Sequence, residues 1–201
     1  WQSTYYTVLL ASHGYIVVSP DHEGGTLYDV VRGQLQDTGV GLETRPADAR
    51  LLINRMLRLK SDDPLFDLVD EERIAVTGHS FGAITALRTA ALDSRVKVIV
   101  PQAPFDASLI LLDLAMPSIP IHVQGANEDR TLPWDENVVT TMTEVKKTGK
   151  PWWLLGITHG GHFTFSDLCA FDLASIVDRV QLDIPGANVR SVLEDGCGPT
   201  A

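Results

Sequence analysis

A serine between two glycines, Gly78-His79-Ser80-Phe81-Gly82, lies where an apolar run meets a helix-forming run, and this junction constrains the fold more than any other segment. The run Arg73-Ile74-Ala75-Val76-Thr77 reads as a strand, and residues 83–92 read as a helix. A chain that passes from strand to helix across so few residues must turn sharply. The serine at the turn is forced onto a strained backbone with its hydroxyl pointing outward. Glycines at 78 and 82 let strand and helix approach closely. The new helix sets its N-terminal amides and dipole beside the hydroxyl, where they favour developing negative charge. A bare five-residue pattern is weak evidence, because Gly and Ser are common. The strand before it and the helix after it give it weight.

The rest of the chain continues the alternation. Residues 15–19 (Tyr-Ile-Val-Val-Ser) predict a buried strand, closed by the turn-forming residues 20–25. Leu51, Leu52, Arg55, Met56 and Leu59 have helical spacing and predict a helix over 46–59, with Thr44 or Arg45 before it and Pro46 in its first turn. Further strands are expected at 96–100, closed by Pro101, at 119–124, closed by Gly125, and at 151–157. Residues 134–147 predict a helix ending at Gly149, and residues 1–12 a helix capped near Gly14. Residues after Phe165 read as part helix and part loop. The apolar stretch 109–115 suits a core helix or a lid over a lipophilic site, with core packing favoured. Short apolar strands alternating with helices predict an α/β fold, a mostly parallel sheet with helices on both faces. A chain of 201 residues suits one domain, 1–201.

Charge and cysteine usage narrow the partners. A net charge of −10 repels nucleic acid and anionic membranes and fits a neutral or apolar substrate. No apolar stretch reaches ~18 residues, so no transmembrane helix is expected. The chain starts at Trp1 without a signal-peptide pattern, so it reads as processed, trimmed or a fragment. Its two cysteines, Cys169 and Cys197, form no CxxC motif, which argues against redox catalysis and a cysteine-rich zinc site. They form one disulfide in an oxidising compartment or stay as two thiols in a reducing one. A bridge would staple the C-terminal tail, with a gain of ~3–4 kcal/mol from loop closure.

A serine hydroxyl is a poor nucleophile until a base takes its proton, and the usual base is a histidine oriented by a carboxylate. In parallel α/β sheets such groups sit on loops at the carboxyl ends of strands. The loop after the strand ending at Gln124, Gly125-Ala126-Asn127-Glu128-Asp129-Arg130, offers Asp129, with Glu128 as competitor. The loop after the last strand, Thr158-His159-Gly160-Gly161-His162-Phe163, offers His162, with His159 as second choice. Glycines before His162 leave room for its ring to approach the serine. Two histidines three apart also invite a metal, but no acidic or cysteine ligand pattern accompanies them, and no metal or organic cofactor is expected. The other histidines have plainer readings: His79 is the variable residue of the turn, His122 lies within a strand, and His13 and His22 flank the first strand.

Together these segments resemble the α/β-hydrolase superfamily. More narrowly they look like the cutinase-like polyester hydrolases and the dienelactone-hydrolase or platelet-activating-factor-acetylhydrolase-like esterases. The matching stretches are 10–22, 78–83, 125–129 and 161–163, with Ser80, Asp129 and His162 in the order associated with α/β-hydrolases. The resemblance implies an α/β-hydrolase fold and a serine esterase that works through an acyl-enzyme with that triad. It implies the Phe81 N–H as an oxyanion donor and Phe105 as a substrate contact. Trp134 is a further expected apolar contact. The expected substrate is an apolar or short-to-medium acyl ester, with polyesters among the candidates. Two alternatives stay open: a catalytically impaired scaffold or binding domain, and another acyl hydrolase such as an amidase, thioesterase or peptidase.

One departure from the family stands out. His13-Gly14 resembles the family's oxyanion loop, yet Tyr15 begins the next strand at once, and parallel neighbours need a crossover of about a dozen residues. The usual oxyanion strand is therefore expected upstream of residue 1 and the usual final helix shortened or absent, as in a core form of a longer enzyme. The cysteines and the likeness to secreted polyesterases point to an extracellular or periplasmic location. The sequence carries no reading of oligomeric state.

Overall fold

The structure is a computed structural model that describes residues 3–170, apart from 27, 30, 31, 33 and 113, together with residues 194–197. Its elements run α1 (Thr4–Ser12), α2 (Thr38–Met56), β1 (Ile74–His79), α3 (Phe81–Leu92), β2 (Val96–Gln102), α4 (Ala107–Ile110) and β3 (Ile121–Ala126). A π-helical turn (Asp135–Val139) then runs into α5 (Thr140–Lys147), followed by β4 (Trp152–Ile157) and two 3-10 turns, His162–Phe165 and Asp167–Ala170. The four strands form one parallel sheet in the order β1-β2-β3-β4. A helix lies between each pair of neighbours, as a parallel crossover requires. The α/β architecture is thus the one the alternation predicts.

Register explains the core. Val76 pairs with Ile99, Ile99 with Ile121 and Ile121 with Trp152, so these residues form one row across the sheet. Ile99, Ile121 and Val123 are buried beneath Ile84 and Leu87 of α3, Ile110 of α4, and Met142 and Val145 of α5. The α3 helix is buried at every residue from Ala83 to Thr89. Its small residues Ala83 and Ala86 let it lie close against the sheet. Among the described residues of the apolar stretch 109–115, two are buried in this core. Ile110 and Leu111 are buried, whereas Leu109 and Leu112 are exposed.

Three expectations are corrected. Residues 15–19 form no strand. Tyr15, Ile16 and Val18 are exposed, and among the described residues the ladder partner of β1 is β2 alone. Apolar character without a neighbouring ladder leaves backbone groups unpaired, so strand propensity is not realised. The second helix begins at Thr38 rather than at 46. Asp37 caps it by accepting the Val40 N–H at 3.2 Å. Pro46 therefore lies inside α2, not in its first turn. Strand β2 continues through Pro101 to Gln102, with Pro101 opposite Gly78. A proline there removes only its own ladder donor.

An internal proline leaves the carbonyl four residues earlier without its helical donor. For Pro46 that carbonyl belongs to Leu42, and Nε of Arg88 donates to it at 2.8 Å. Arg88 is buried on α3, and it also donates to Ile110 O at 2.9 Å and to Glu43 Oε1 at 2.7 Å. One guanidinium thus joins α2, α3 and α4 while replacing the bond that Pro46 forgoes.

The N-terminal helix is as expected. His13 and Gly14 close it with bonds to Leu10 O and Ala11 O, and Gly14 adopts a φ of +87°. Cys169 and Cys197 are bridged. The expectation of a shortened or absent last helix falls on residues 171–193, outside the described residues.

Two stability predictions follow from this packing. Arg88→Met keeps the aliphatic stem but strands the Leu42 and Ile110 carbonyls, and should lower the unfolding free energy by about 2–4 kcal/mol. Urea denaturation monitored by tryptophan fluorescence measures it, and a loss below about 0.5 kcal/mol would show that the guanidinium does not hold the three helices. The double variant Cys169→Ser/Cys197→Ser should be less stable by ~3–4 kcal/mol in the same assay, and reducing agent should destabilise the parent protein but not the variant.

Candidate active site

The turn between β1 and α3 is as tight as its glycines suggest. A methyl group at Gly78 would meet the carbonyl carbon of Gly82 at 2.5 Å, so only hydrogen fits there. Ser80 sits at φ 57° and ψ −116°, a region that side chains other than glycine rarely occupy. The surroundings hold this strain in place. The Ser80 N–H donates to Gln102 O at 2.9 Å, and the Ser80 carbonyl accepts from Ala83 N at 2.9 Å as the first bond of α3. Phe81 is the first residue of α3, so its N–H has no acceptor within the helix and is available to a ligand.

The loops after β3 and β4 bring two side chains to this serine. His162 Nε2 lies 2.9 Å from Ser80 Oγ, and His162 Nδ1 lies 2.8 Å from Asp129 Oδ2. His162 and Asp129 are both buried. The other oxygen of Asp129 accepts the Leu132 N–H at 2.6 Å, which orients the carboxylate. With Nδ1 facing a carboxylate, the consistent neutral tautomer carries its proton on Nδ1. Nε2 is then the lone-pair atom facing the serine hydroxyl. This arrangement can take a proton from Ser80 and stabilise the imidazolium that results.

The two competing residues pair with each other. Glu128 Oε1 and His159 Nδ1 lie 2.6 Å apart with both side chains exposed, and neither enters the buried chain of hydrogen bonds. His159 holds a φ of 60° immediately before Gly160 and Gly161, and this turn separates the exposed histidine from the buried one.

His79 is built into the site rather than incidental to it. It lies buried against His162 with ring centroids 4.6 Å apart, and Phe163 and Phe165 pack on it at 5.7 and 6.1 Å. Its Nε2 lies 2.7 Å from the His162 carbonyl oxygen and donates to it. Burial, and next the neighbouring His162, pull its pKa down to about 4. His79 is therefore neutral near pH 7 and adds no charge beside the histidine that would act as base.

The apolar residues are placed differently from one another. The Phe81 ring turns toward α2, where the Arg45 guanidinium stacks on it at 4.3 Å and Gly41 lies against its edge. Trp134 covers Gly125 and Gly156, which face each other across β3 and β4; a methyl at Gly125 would lie 2.9 Å from the Trp134 ring. Phe105, in the loop after β2, is exposed. Its backbone is pinned by the buried Thr141, which donates to Phe105 O at 2.9 Å and accepts from Ala107 N at 3.1 Å. The sequence reading missed Asp195, a buried carboxylate in the C-terminal turn 194–197 that reaches the Asp129 loop. Its only signal was its place two residues before Cys197.

Among the described residues no cluster of His, Cys, Asp and Glu suits a metal ion, and no helix is long and apolar enough to cross a membrane.

A histidine with a lower pKa when folded binds fewer protons in the folded state. The stability it supports is complete above its unfolded value of 6.5 and is lost as pH falls toward about 4. The unfolding free energy should therefore decline between these values, by on the order of 3 kcal/mol from this group. His79→Gln should be flatter over the same range in urea titrations at a series of pH values. Parallel curves for the two proteins would refute the assignment.

The PETase family, described as PET hydrolase-like, matches residues 2–175. No curated protein matches the chain. One similar solved structure is a protein from Agrobacterium tumefaciens, described as an alpha/beta hydrolase of unknown function. It is 20% identical with a TM-score of 0.40, and the match covers 46% of this chain and 42% of that one, too partial a likeness to carry an argument.

Proposed function

The chain belongs to the PET hydrolase-like family, and from that membership we propose that it is a serine esterase, a carboxylic ester hydrolase working through an acyl-enzyme. The observation that carries this reading is the hydrogen-bonded chain from Ser80 Oγ through His162 to Asp129, at 2.9 and 2.8 Å. Ser80 Oγ attacks the ester carbonyl carbon while His162 Nε2 takes its proton. The carbonyl oxygen becomes an oxyanion that accepts from the Phe81 N–H, at the positive end of α3. His162 then passes the proton to the leaving alkoxide, which departs as the alcohol, and Ser80 keeps the acyl group. Water repeats the sequence on the acyl-enzyme, losing its proton to His162, and the acid leaves with Ser80 restored. Asp129 holds the Nδ1–H throughout. Every step uses groups of the chain and water, without a cofactor.

The substrate side is proposed to be apolar. Phe105 is its best-supported contact, because it is exposed while its backbone is held rigidly. Trp134 is a weaker candidate, since its ring already packs on Gly125 and Gly156. Short-to-medium acyl esters suit such a surface, and polyesters join them by family. The Cys169–Cys197 bridge supports an oxidising, extracellular or periplasmic setting. Residues 1–201 are proposed to act as one catalytic domain.

The test is hydrolysis of p-nitrophenyl acetate, butyrate and octanoate by the parent chain and by Ser80→Ala, His162→Ala and Asp129→Asn. The serine and histidine variants should lose on the order of 10⁴-fold or more in kcat, and Asp129→Asn a loss approaching that. A folded parent chain without Ser80-dependent turnover would reject the esterase. Faster turnover of matched amides or thioesters would keep the triad but reassign the substrate.

A further inference from the structure

The loops that carry Asp129 and His162 are tied together at a second place, by a residue outside the serine–histidine–carboxylate chain. Asp195 is 1% exposed. Its Oδ2 accepts three hydrogen bonds from the two residues that follow Asp129: Arg130 N at 2.9 Å, Thr131 N at 2.8 Å and Thr131 Oγ1 at 2.8 Å. Its backbone carbonyl accepts the N–H of Phe163, the residue after His162, at 2.8 Å. Asp195 thus grips the acid loop with its side chain and the base loop with its main chain.

The neighbours of Asp195 narrow its freedom further. Gly161, just before His162, abuts Asp195 Oδ1 and Gly196 so closely that a side chain at 161 would collide with both. Gly196 adopts a φ of +94°, and a methyl there would lie 2.9 Å from the Gly161 carbonyl carbon. Arg130 Nε stands 3.7 Å from Asp195 Oδ1. Two residues beyond Asp195, Cys197 is bridged to Cys169, which follows the 3-10 turn that begins at His162. The turn 194–197 is therefore anchored covalently on the base side and by three side-chain hydrogen bonds on the acid side.

We propose that Asp195 is a positioning residue that sets the separation of Asp129 and His162. It touches no reacting atom. It acts by fixing where Arg130-Thr131 and Phe163 lie, and hence where the adjacent acid and base sit. Proton transfer depends steeply on such placement: an error of about 1 Å far from the chemistry can cost on the order of 10²-fold in rate. The kinetic part of this inference rests on the esterase reading.

The experiment compares the full chain with Asp195→Ala and Asp195→Asn, by p-nitrophenyl butyrate kinetics and by proton NMR of the His162 Nδ1–H, assigned through its absence in His162→Gln. Asp195→Ala should lower kcat by about tenfold or more with KM held within about twofold, and should shift or broaden the Nδ1 proton signal. Asp195→Asn keeps an oxygen acceptor for the same three donors and should recover most of the loss. A folded Asp195→Ala protein with parental kcat and an unmoved Nδ1 proton would overturn the proposal, whatever its melting temperature. If Asp195→Ala does not fold, Thr131→Val decides. It removes one of the three bonds and should reduce kcat a few-fold at constant KM, and a parental kcat would count against the proposal. If the parent chain shows no Ser80-dependent turnover, the esterase reading fails separately. The Nδ1 signal in Asp195→Ala still decides the positioning role.

Discussion

The close approach of Gly78 and Gly82 is the constraint on which the rest of the structure depends. With hydrogen at position 78, β1 can turn into α3 across a single strained residue, and that residue is Ser80. The strain is held by bonds on both sides: Ser80 N–H to the end of β2, and Ser80 carbonyl to the first turn of α3. Because the same turn starts α3, it delivers a hydroxyl and a free helix N-terminal amide to one point. The helix can be driven into the sheet because its first turns carry Ala83, Ile84, Ala86 and Leu87, which are almost wholly buried.

Around that point several polar groups in the interior are met by specific partners. Pro46 removes a donor from α2, and Arg88 supplies one from α3. Thr141 pins the loop that presents Phe105. Asp195 gathers the amides of the Asp129 loop and offers its carbonyl to the His162 loop. Each contact joins elements far apart in the chain. Loops at the end of a parallel sheet gain from this the rigidity that their own short backbones lack.

His79 shows how a variable position of a motif acquires a role from its surroundings. The pattern around Ser80 asks nothing particular of residue 79. Burial makes its ring a poor base, and a neutral ring can lie against His162 without electrostatic conflict while donating to its carbonyl. A cation at that place would oppose formation of the imidazolium on which proton transfer depends. The dyad of Asp129 and His162 is thus supported from one side by aromatic packing and from the other by the C-terminal turn.

Sequence alone determined what local pattern can determine. Alternating apolar and helical runs specified a parallel α/β sheet, and the glycine spacing marked the turn at Ser80. Loop position after β3 and β4 brought Asp129 and His162 into view. Tertiary structure decided whatever depended on a partner distant in the chain. It left residues 15–19 without a ladder although their propensity favours a strand, and it let α2 run through Pro46 because Arg88 replaces the missing donor. It paired Glu128 with His159 at the surface and so separated them from the buried pair. It placed Asp195 beside the Asp129 loop, 65 residues from Arg130 in the chain, through a turn bridged at Cys197. The division has one physical cause. Propensity and periodicity act between residues a few positions apart, whereas hydrogen-bond satisfaction in a buried site depends on which segments folding brings together.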